Sequence, residues 1–518
     1  MHTHRHHHLL ALAATLSSFL LLPSSFSARA AGTSAWVTQS PDGTLTYRAT
    51  PSGDRIMDFS HAGYRGGGVP LPDVPVKLTL SPLPDPKADA TAHIQSALDK
   101  LSALPLDATG HRGALLLAPG TYPCATPLTI NASGVTLRGS GNDPAAPTAT
   151  IIRMTGGKHT AILLGERSSA SVTGKSGPET KITDRHVPTG AISLTVASTR
   201  GFAIGDFVEI RKTVTAAWIS LLKMDQLVRD GKPQTWIKPG SKLTTLRTIS
   251  AISGNTITLD APLSDSIDSK YQPPGGATLV KVPPPPWPSE CALENFVIQS
   301  PLQAMNHSEQ LYKAITFRAQ DSWMRNLRIE ETMDSVSMNG RRLTIENVSV
   351  IRKAKHPGSS KPSELSPNAT QILLDRCHVE GDNIWFAATG SGNAGPIVFL
   401  DCTFKGTGHI EGHMRWSTGM LLDNCTLPEG GIDFKNRGTA GSGHGWGLAW
   451  SVAWNCTAKT YTVQQPPGAY NWAIGCTWLD KNAERKPPDP VGTFDSPDKP
   501  VTPKSLYRAQ LAARLGTK

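Results

Sequence analysis

The sequence predicts an all-β protein built as a parallel β-helix (a solenoid), with an N-terminal capping helix and a small inserted β-rich subdomain. Three observations predict it. A short polar–apolar phrase keeps returning through the second half of the chain. The composition, with 47 Gly, 41 Pro and 18% charged residues, suits many short strands joined by turns. An amphipathic helix precedes the first strands, where an open solenoid end would otherwise expose core and strand edges.

The phrase reads Glu294-Asn295-Phe296-Val297-Ile298, then Arg325-Asn326-Leu327-Arg328-Ile329, then Glu346-Asn347-Val348-Ser349-Val350. It continues with Cys in place of Asn, at Cys377, Cys402, Cys425, Cys456 and Cys476. Returns are about twenty to about thirty residues apart, the period of repeat architectures. Stacked coils set like residues about 4.8 Å apart, in ladders. The main solenoid is expected over residues 286–482. Seven Cys is an odd number, and the regular spacing of five of them predicts buried free thiols, not a disulfide framework.

In chain order, residues 1–30 read as a cleavable export signal. A His- and Arg-containing start leads to the apolar run Leu9 to Leu22 and the small-x-small site Ala28-Arg29-Ala30. Secretion or a periplasmic location is expected. The apolar run is too short for a membrane span, and no later stretch is longer. Removing Arg5 and Arg29 lowers the formal charge of +10 by two. A basic exported protein suits a polyanionic partner. No Lys/Arg run with interleaved aromatics points to nucleic acid.

Residues 31–164 hold N-terminal strands, the cap helix and the first coils. The helix begins at Asp89 and sets Ile94, Ala97, Leu98, Leu101 and Leu104 on one face. Residues 165–285 break the coil rhythm. They carry strands near 191–196 and 207–210, a helix over 218–228, and a hairpin of 249–252 with 256–259 around Gly254-Asn255. This is the inserted subdomain, and Pro283 to Pro288 form a stiff connector back to the coils. Residues 483–518 are a Pro-rich tail with a short helix over 505–515.

Ala118-Pro119-Gly120-Thr121-Tyr122 after the helix, followed by Ser133-Gly134-Val135-Thr136-Leu137-Arg138-Gly139, resembles the opening of the pectate-lyase-like superfamily of right-handed parallel β-helix carbohydrate-active enzymes. The resemblance implies a right-handed coil and a saccharide substrate. It also implies a Lys or Arg base where the activity is elimination, and calcium held by acidic clusters in many members.

Aligning Ile384, Ile410 and Ile432 as inward residues places a candidate site on the outer face. Trp385, Glu411 and Asp433 then form one column, His413 and Lys435 the next, and Arg415 and Arg437 a third. Columns are about 7 Å apart and rows about 4.8 Å apart. His409 lies beside them. A solvated charge network on a solenoid face is worth little energy, but so many ionisable groups in two coils point to chemistry. Gly412-His413 stands as far before Cys425 as Gly443-His444 stands before Cys456. The Gly-rich loop 438–443 is therefore expected to bring His444 and Trp446 over the patch.

The pattern fits a polysaccharide lyase acting on an acidic polysaccharide or oligosaccharide. Arg415 or Arg437 would pair the uronate carboxylate. Lys435 or His413 would take the proton, and His444 or an Arg would serve the leaving oxygen. Trp385, Trp416 and Trp446 would stack on sugar rings, with His409, Glu411 and Asp433 completing the binding surface. Two other readings remain open. One is a glycoside hydrolase using Glu411 and Asp433, although only Gly443-His444-Gly445 matches the motifs of β-helix polygalacturonases. The other is a glycan-binding solenoid without catalysis. Calcium is possible and not required. A monomer is expected.

Overall fold

The computed structural model describes residues 1, 32–165, 177–272, 276–306, 308–480 and 490–517. The expected export signal lies outside them apart from Met1, as do residues 481–489, where the expected solenoid meets the tail. Among the described residues, no helix is long and apolar enough to cross a membrane.

The main body is a stack of parallel coils with three strands each. One face runs through Gly113–Leu117, Val135–Gly139, Ala292–Glu294, Thr370–Asp375, Ala394–Leu400 and Ser417–Asp423. A second runs through Gly120–Cys124, Thr150–Met154, Val297–Gln299, His378–Glu380 and Thr403–Lys405. The third runs through Leu128–Ile130, Thr160–Leu164, Ser363–Pro367, Trp385–Thr389 and His409–Gly412. Alternate side chains of all three faces fill one apolar core, among them Leu115, Leu137, Ile298, Ile345, Ile372, Ile410 and Ile432.

The corner ladder differs from the sequence expectation by one residue. Glu346 lies opposite Asp375, and Ser349 opposite His378. Asn347 is therefore continued by Arg376, and Val348 by Cys377. The polar ladder is Asn295, Asn326, Asn347, Arg376, Asp401, Asn424 and Asn455, all with φ between 50° and 59°. This left-handed conformation suits Asn and Asp, whose short polar side chains bond locally. The side chains also bond from coil to coil. Asn326 donates to Asn295 at 3.0 Å, Asn347 to Asn326 at 2.8 Å and Asn424 to Asp401 at 2.6 Å.

The Cys ladder sits one position later and points inward. Cys402 donates to Leu374 O and Cys425 to Phe399 O, each at 3.4 Å. All seven cysteines are free and buried. Burial pushes the Cys402, Cys425 and Cys456 thiols well above the ordinary value, so little reactive thiolate forms. A thiol-labelling reagent is expected to leave the native protein unmodified and to modify all seven after denaturation. Fast labelling of the native protein would contradict this packing.

The cap helix Thr91–Ser102 buries Ile94, Ala97, Leu98 and Leu101 against the first coils. Asp89 Oδ1 accepts the Thr91 N–H at 3.0 Å, relieving an orphan donor at the helix start. Leu104 lies beyond the helix end and is exposed. Between Leu164 and Ala292 the chain leaves the solenoid. It forms a six-stranded sheet in the order Glu179–Lys181, Thr278–Lys281, Phe207–Thr213, Lys242–Ser253, Thr256–Leu259, Ser193–Thr195. The helix here is Ala216–Leu221, shorter than expected, because Val228–Arg229 pairs with Lys232–Pro233 instead. The insert docks on the first face. The buried Arg247 guanidinium bonds Gly395 O at 2.7 Å and Thr370 Oγ1 at 2.9 Å. Leu506–Leu515 folds back on the N-terminal segment. Gln510 accepts from Phe59 N, and Arg514 donates to Ser60 O and Gly67 O.

Candidate functional site

The candidate site lies on the third face and in the turns that leave it, beside the inserted subdomain. Ile410 is opposite Ile432 and Glu411 opposite Asp433. One coil earlier the register shifts, so Trp385 lies opposite His409 and Ala387 opposite Ile410. The column of Trp385, Glu411 and Asp433 therefore does not form, and Ile384 does not continue the Ile410 row. The shift is a strand irregularity between Trp385 and Ala387, of the kind that re-aims side chains.

The two carboxylates sit at the bottom of the cluster, with side-chain exposures of 0% for Glu411 and 3% for Asp433. Their partners cover them and reach solvent: His409 at 32%, His413 at 29%, Lys435 at 27% and Arg437 at 14%. His413 Nδ1 is 2.7 Å and Arg437 Nη1 2.9 Å from Glu411 Oε1. These two nitrogens are 2.8 Å apart. Arg437 Nη1 has only donors and also bonds His413 O at 2.9 Å. Both nitrogens are best satisfied as donors converging on one carboxylate oxygen. His413 then carries its proton on Nδ1 and keeps a lone pair on Nε2.

Lys435 Nζ lies 2.6 Å from Asp433 Oδ2. His409 Nδ1 is 3.1 Å from the same oxygen but off the line of a hydrogen bond. We read that contact as electrostatic. Burial alone would raise the Asp433 carboxyl, but His409 and the Lys435 charge overcome it and hold the group well below the usual carboxylate range.

Several expected roles change. Trp385 is an anchor. Lys361 Nζ lies 4.9 Å and Arg437 Cζ 5.4 Å from its ring centroid, with His409 and His413 rings at 6.1 and 6.0 Å. Cations hold the ring where a sugar would stack. Arg415 turns away from Arg437 and bonds Ser442 Oγ at 2.7 Å and Ser442 O at 3.0 Å, bracing the Gly-rich loop. The turn is tight, with φ of 55° at Arg415 and 66° at Trp416. Trp416 and Trp446 are buried and cannot stack on substrate. Trp416 packs edge-on against Trp218 and Trp236 and donates to Asp265, while Trp446 donates to Leu222 O. Both pin the insert to the coils.

The loop does bring His444 to His413, with ring centroids 4.8 Å apart. Burial first, then the neighbouring Arg437 guanidinium, the His413 ring and the Arg415 guanidinium, push the His444 ring down to about 4. It is neutral at pH 7 and poorly suited to protonate a leaving group. A Cβ at Gly441 would lie 2.1 Å from His444 Nε2, and Gly441 has φ of 58°. Gly441→Ala is expected to expel His444 and lower any activity at least as far as His444→Ala does. Unchanged activity and melting temperature would show that the loop is not needed.

A cavity of about 190 Å3 opens beside the cluster, lined by Asp334, Lys361, Ser363, Trp385, Thr389 and His413. Lys361 and Asp334 were not legible as site residues, because irregular turns carry them outside the ladder count. Among the described residues, no group of three or more His, Cys, Asp or Glu could hold a metal ion. Calcium takes six to eight oxygens, whereas Glu411 is already paired with Arg437 and Asp433 with Lys435, each with a His beside it. The residues present do not fit it.

No family model matches the chain, and no curated protein matches it. Solved structures superpose weakly. The tailspike protein gp49 from Pseudomonas phage LKA1 is 14% identical, with a TM-score of 0.38 over 75% of this chain and 63% of that one. A tailspike mutant of E. coli bacteriophage HK620 in complex with pentasaccharide is 8% identical, with a TM-score of 0.38 over 86% and 61%. The gp54 tailspike of Acinetobacter baumannii bacteriophage AP22, in complex with a capsular saccharide, is 10% identical, with a TM-score of 0.29 over 79% and 72%. The chain thus spans under two thirds of the first and second of these.

Proposed function

We propose that the protein is an exported polysaccharide lyase on a right-handed β-helix, cleaving a uronate-containing polysaccharide by β-elimination. One observation carries the reading. Around Glu411 and Asp433 the groups that reach solvent are histidines, His413 among them with a free lone pair, and the cations Lys435 and Arg437, and these two carboxylates lie beneath them. Elimination beside a uronate needs a base for the proton next to the carboxylate and positive charge on the enolate that follows. His413 Nε2 is the base, held in its tautomer by Glu411. Lys435 and Arg437 receive the substrate carboxylate and the charge that develops on it. Lys361, across the cavity, supplies a proton to the leaving oxygen. The glycosidic bond breaks as the proton leaves, and the products are a new reducing end and an unsaturated uronate.

The hydrolase reading asks more of this site than its geometry offers. It needs a protonated carboxyl at the scissile bond, whereas Asp433 is held ionised, Glu411 is fully covered, and Asp334 on the cavity wall is paired with Lys313 and accepts the Ser363 N–H.

Incubation with a panel of uronate polysaccharides tests the proposal. Ultraviolet-absorbing unsaturated ends support elimination. Reducing ends without that absorbance indicate hydrolysis. Binding without cleavage indicates a glycan-binding solenoid.

A further inference from the structure

The cavity beside His413 has a larger neighbour along the coil face. A second cleft, of about 550 Å3, shares Asn368 with it. The coil face forms its floor and the insert and Pro-rich connector form its wall, through Thr244, Leu246 and Trp287. On the floor, Arg318 lies opposite Asn339. The Asn368 N–H donates to Met338 O at 2.9 Å, one coil on. Asn393 then donates to Asn368 Oδ1 at 3.2 Å. This row crosses four coils, or about 14 Å at the coil spacing.

The two compartments differ in chemistry. Asp334, Lys361 and His413 line the small one. In the large one, Arg318 is the only ionisable side chain among the described lining residues, and it stands at the far end of the row. The rest is amide, hydroxyl and apolar surface, with the half-buried Trp287 on the wall. Amides and hydroxyls both donate and accept, which matches sugar hydroxyls. A half-exposed indole beside them suits the apolar face of a ring. A carboxylate placed against Asn368 and Asn393, two and three coils from Arg318, would lose water without gaining a cation.

We infer that the substrate is an acidic heteropolysaccharide, in which the uronate at His413 is flanked by uncharged sugars bound in the Asn-lined cleft. This rests on the uronate-lyase reading. The test compares kcat/KM on several homopolyuronates with that on several polymers alternating uronate and uncharged sugar. Wild type, Trp287→Ala and Asn339→Ala are each used after their melting transitions are recorded. The alternating polymers are expected to be preferred. Each variant should lower that preference, Trp287→Ala by about tenfold, or about 1.4 kcal/mol, by slowing the alternating polymers more than the homopolymers. If Trp287→Ala fails to fold, Asn339→Ala carries the comparison, since its only side-chain bond among those described is to Ser337 Oγ. Equal or better cleavage of homopolymers overturns this inference and leaves the lyase reading standing. A preference that neither variant alters overturns the cleft as its origin. No cleavage of any uronate polymer overturns both.

Discussion

His413→Ala lowers turnover of a uronate polysaccharide by about 10²–10⁴-fold, the usual contribution of a positioned general base. KM changes little, because Lys435 and Arg437 keep the substrate carboxylate. Stability also changes little. Glu411 loses one donor but keeps the Arg437 guanidinium at 2.9 Å, so no carboxylate is left buried and unpaired. His413→Asn is expected to be as inactive as alanine, since an amide can bond Glu411 but cannot accept the proton. Glu411→Gln gives a smaller loss with a changed pH profile, because the neutral amide still positions the ring and no longer stabilises the imidazolium. Full activity in His413→Ala would remove the assigned base and leave Lys435 as the remaining candidate.

Arg437→Met produces the largest loss of stability. Among the described residues it leaves Glu411, at 0% exposure, with His413 as its one remaining partner. Breaking a buried pair by removing one member typically costs about 3–5 kcal/mol, read from the denaturant midpoint at constant slope. The double variant Arg437→Met with Glu411→Gln should recover much of that loss, because the stranded charge is gone. The cycle isolates the coupling between these two contacting groups. A loss within about 0.5 kcal/mol, the range of an ordinary surface change, would show that the cluster is a solvated charge network.

The coil architecture was legible because the Asn and Cys ladders repeat the physics of a stacked corner. The count failed where a strand held an irregularity. Matching the inward residues Ile410 and Ile432 placed Asp433 opposite Glu411, although the path from Cys425 is one residue shorter than that from Cys402. Cys377 misplaced Trp385, because the irregularity after it adds residues that no periodic count contains. The Asn-for-Cys reading slipped by one for a related reason. Polar corner and apolar core alternate along the chain, and a ladder of small residues fits either position until pairing is known.

The tryptophans were misread for a different reason. Trp416 and Trp446 lie in the candidate coils, but the insert covers them through Trp218 and Trp236. That docking surface has no sequence period. Lys361 was missed in the same way, since a Gly- and Ser-containing turn sets its place beside Trp385. The members of the cluster were legible in sequence. Which of them reach solvent, and which lie beneath the others, required the burial order of Glu411 and Asp433 below and histidine with cations above.

The most direct measurement of that claim is product mass after digestion of a cleaved uronate polymer in heavy-oxygen water. Elimination breaks the glycosidic bond without adding water, so the cleavage event introduces no solvent oxygen, and each new non-reducing end is lighter by one water than a hydrolytic end. Reducing-end exchange is corrected with unlabelled product held in the same water. Unsaturated products free of cleavage-derived label, lost in His413→Ala, are the result expected here. One solvent oxygen fixed per cleavage, with saturated ends, would contradict it.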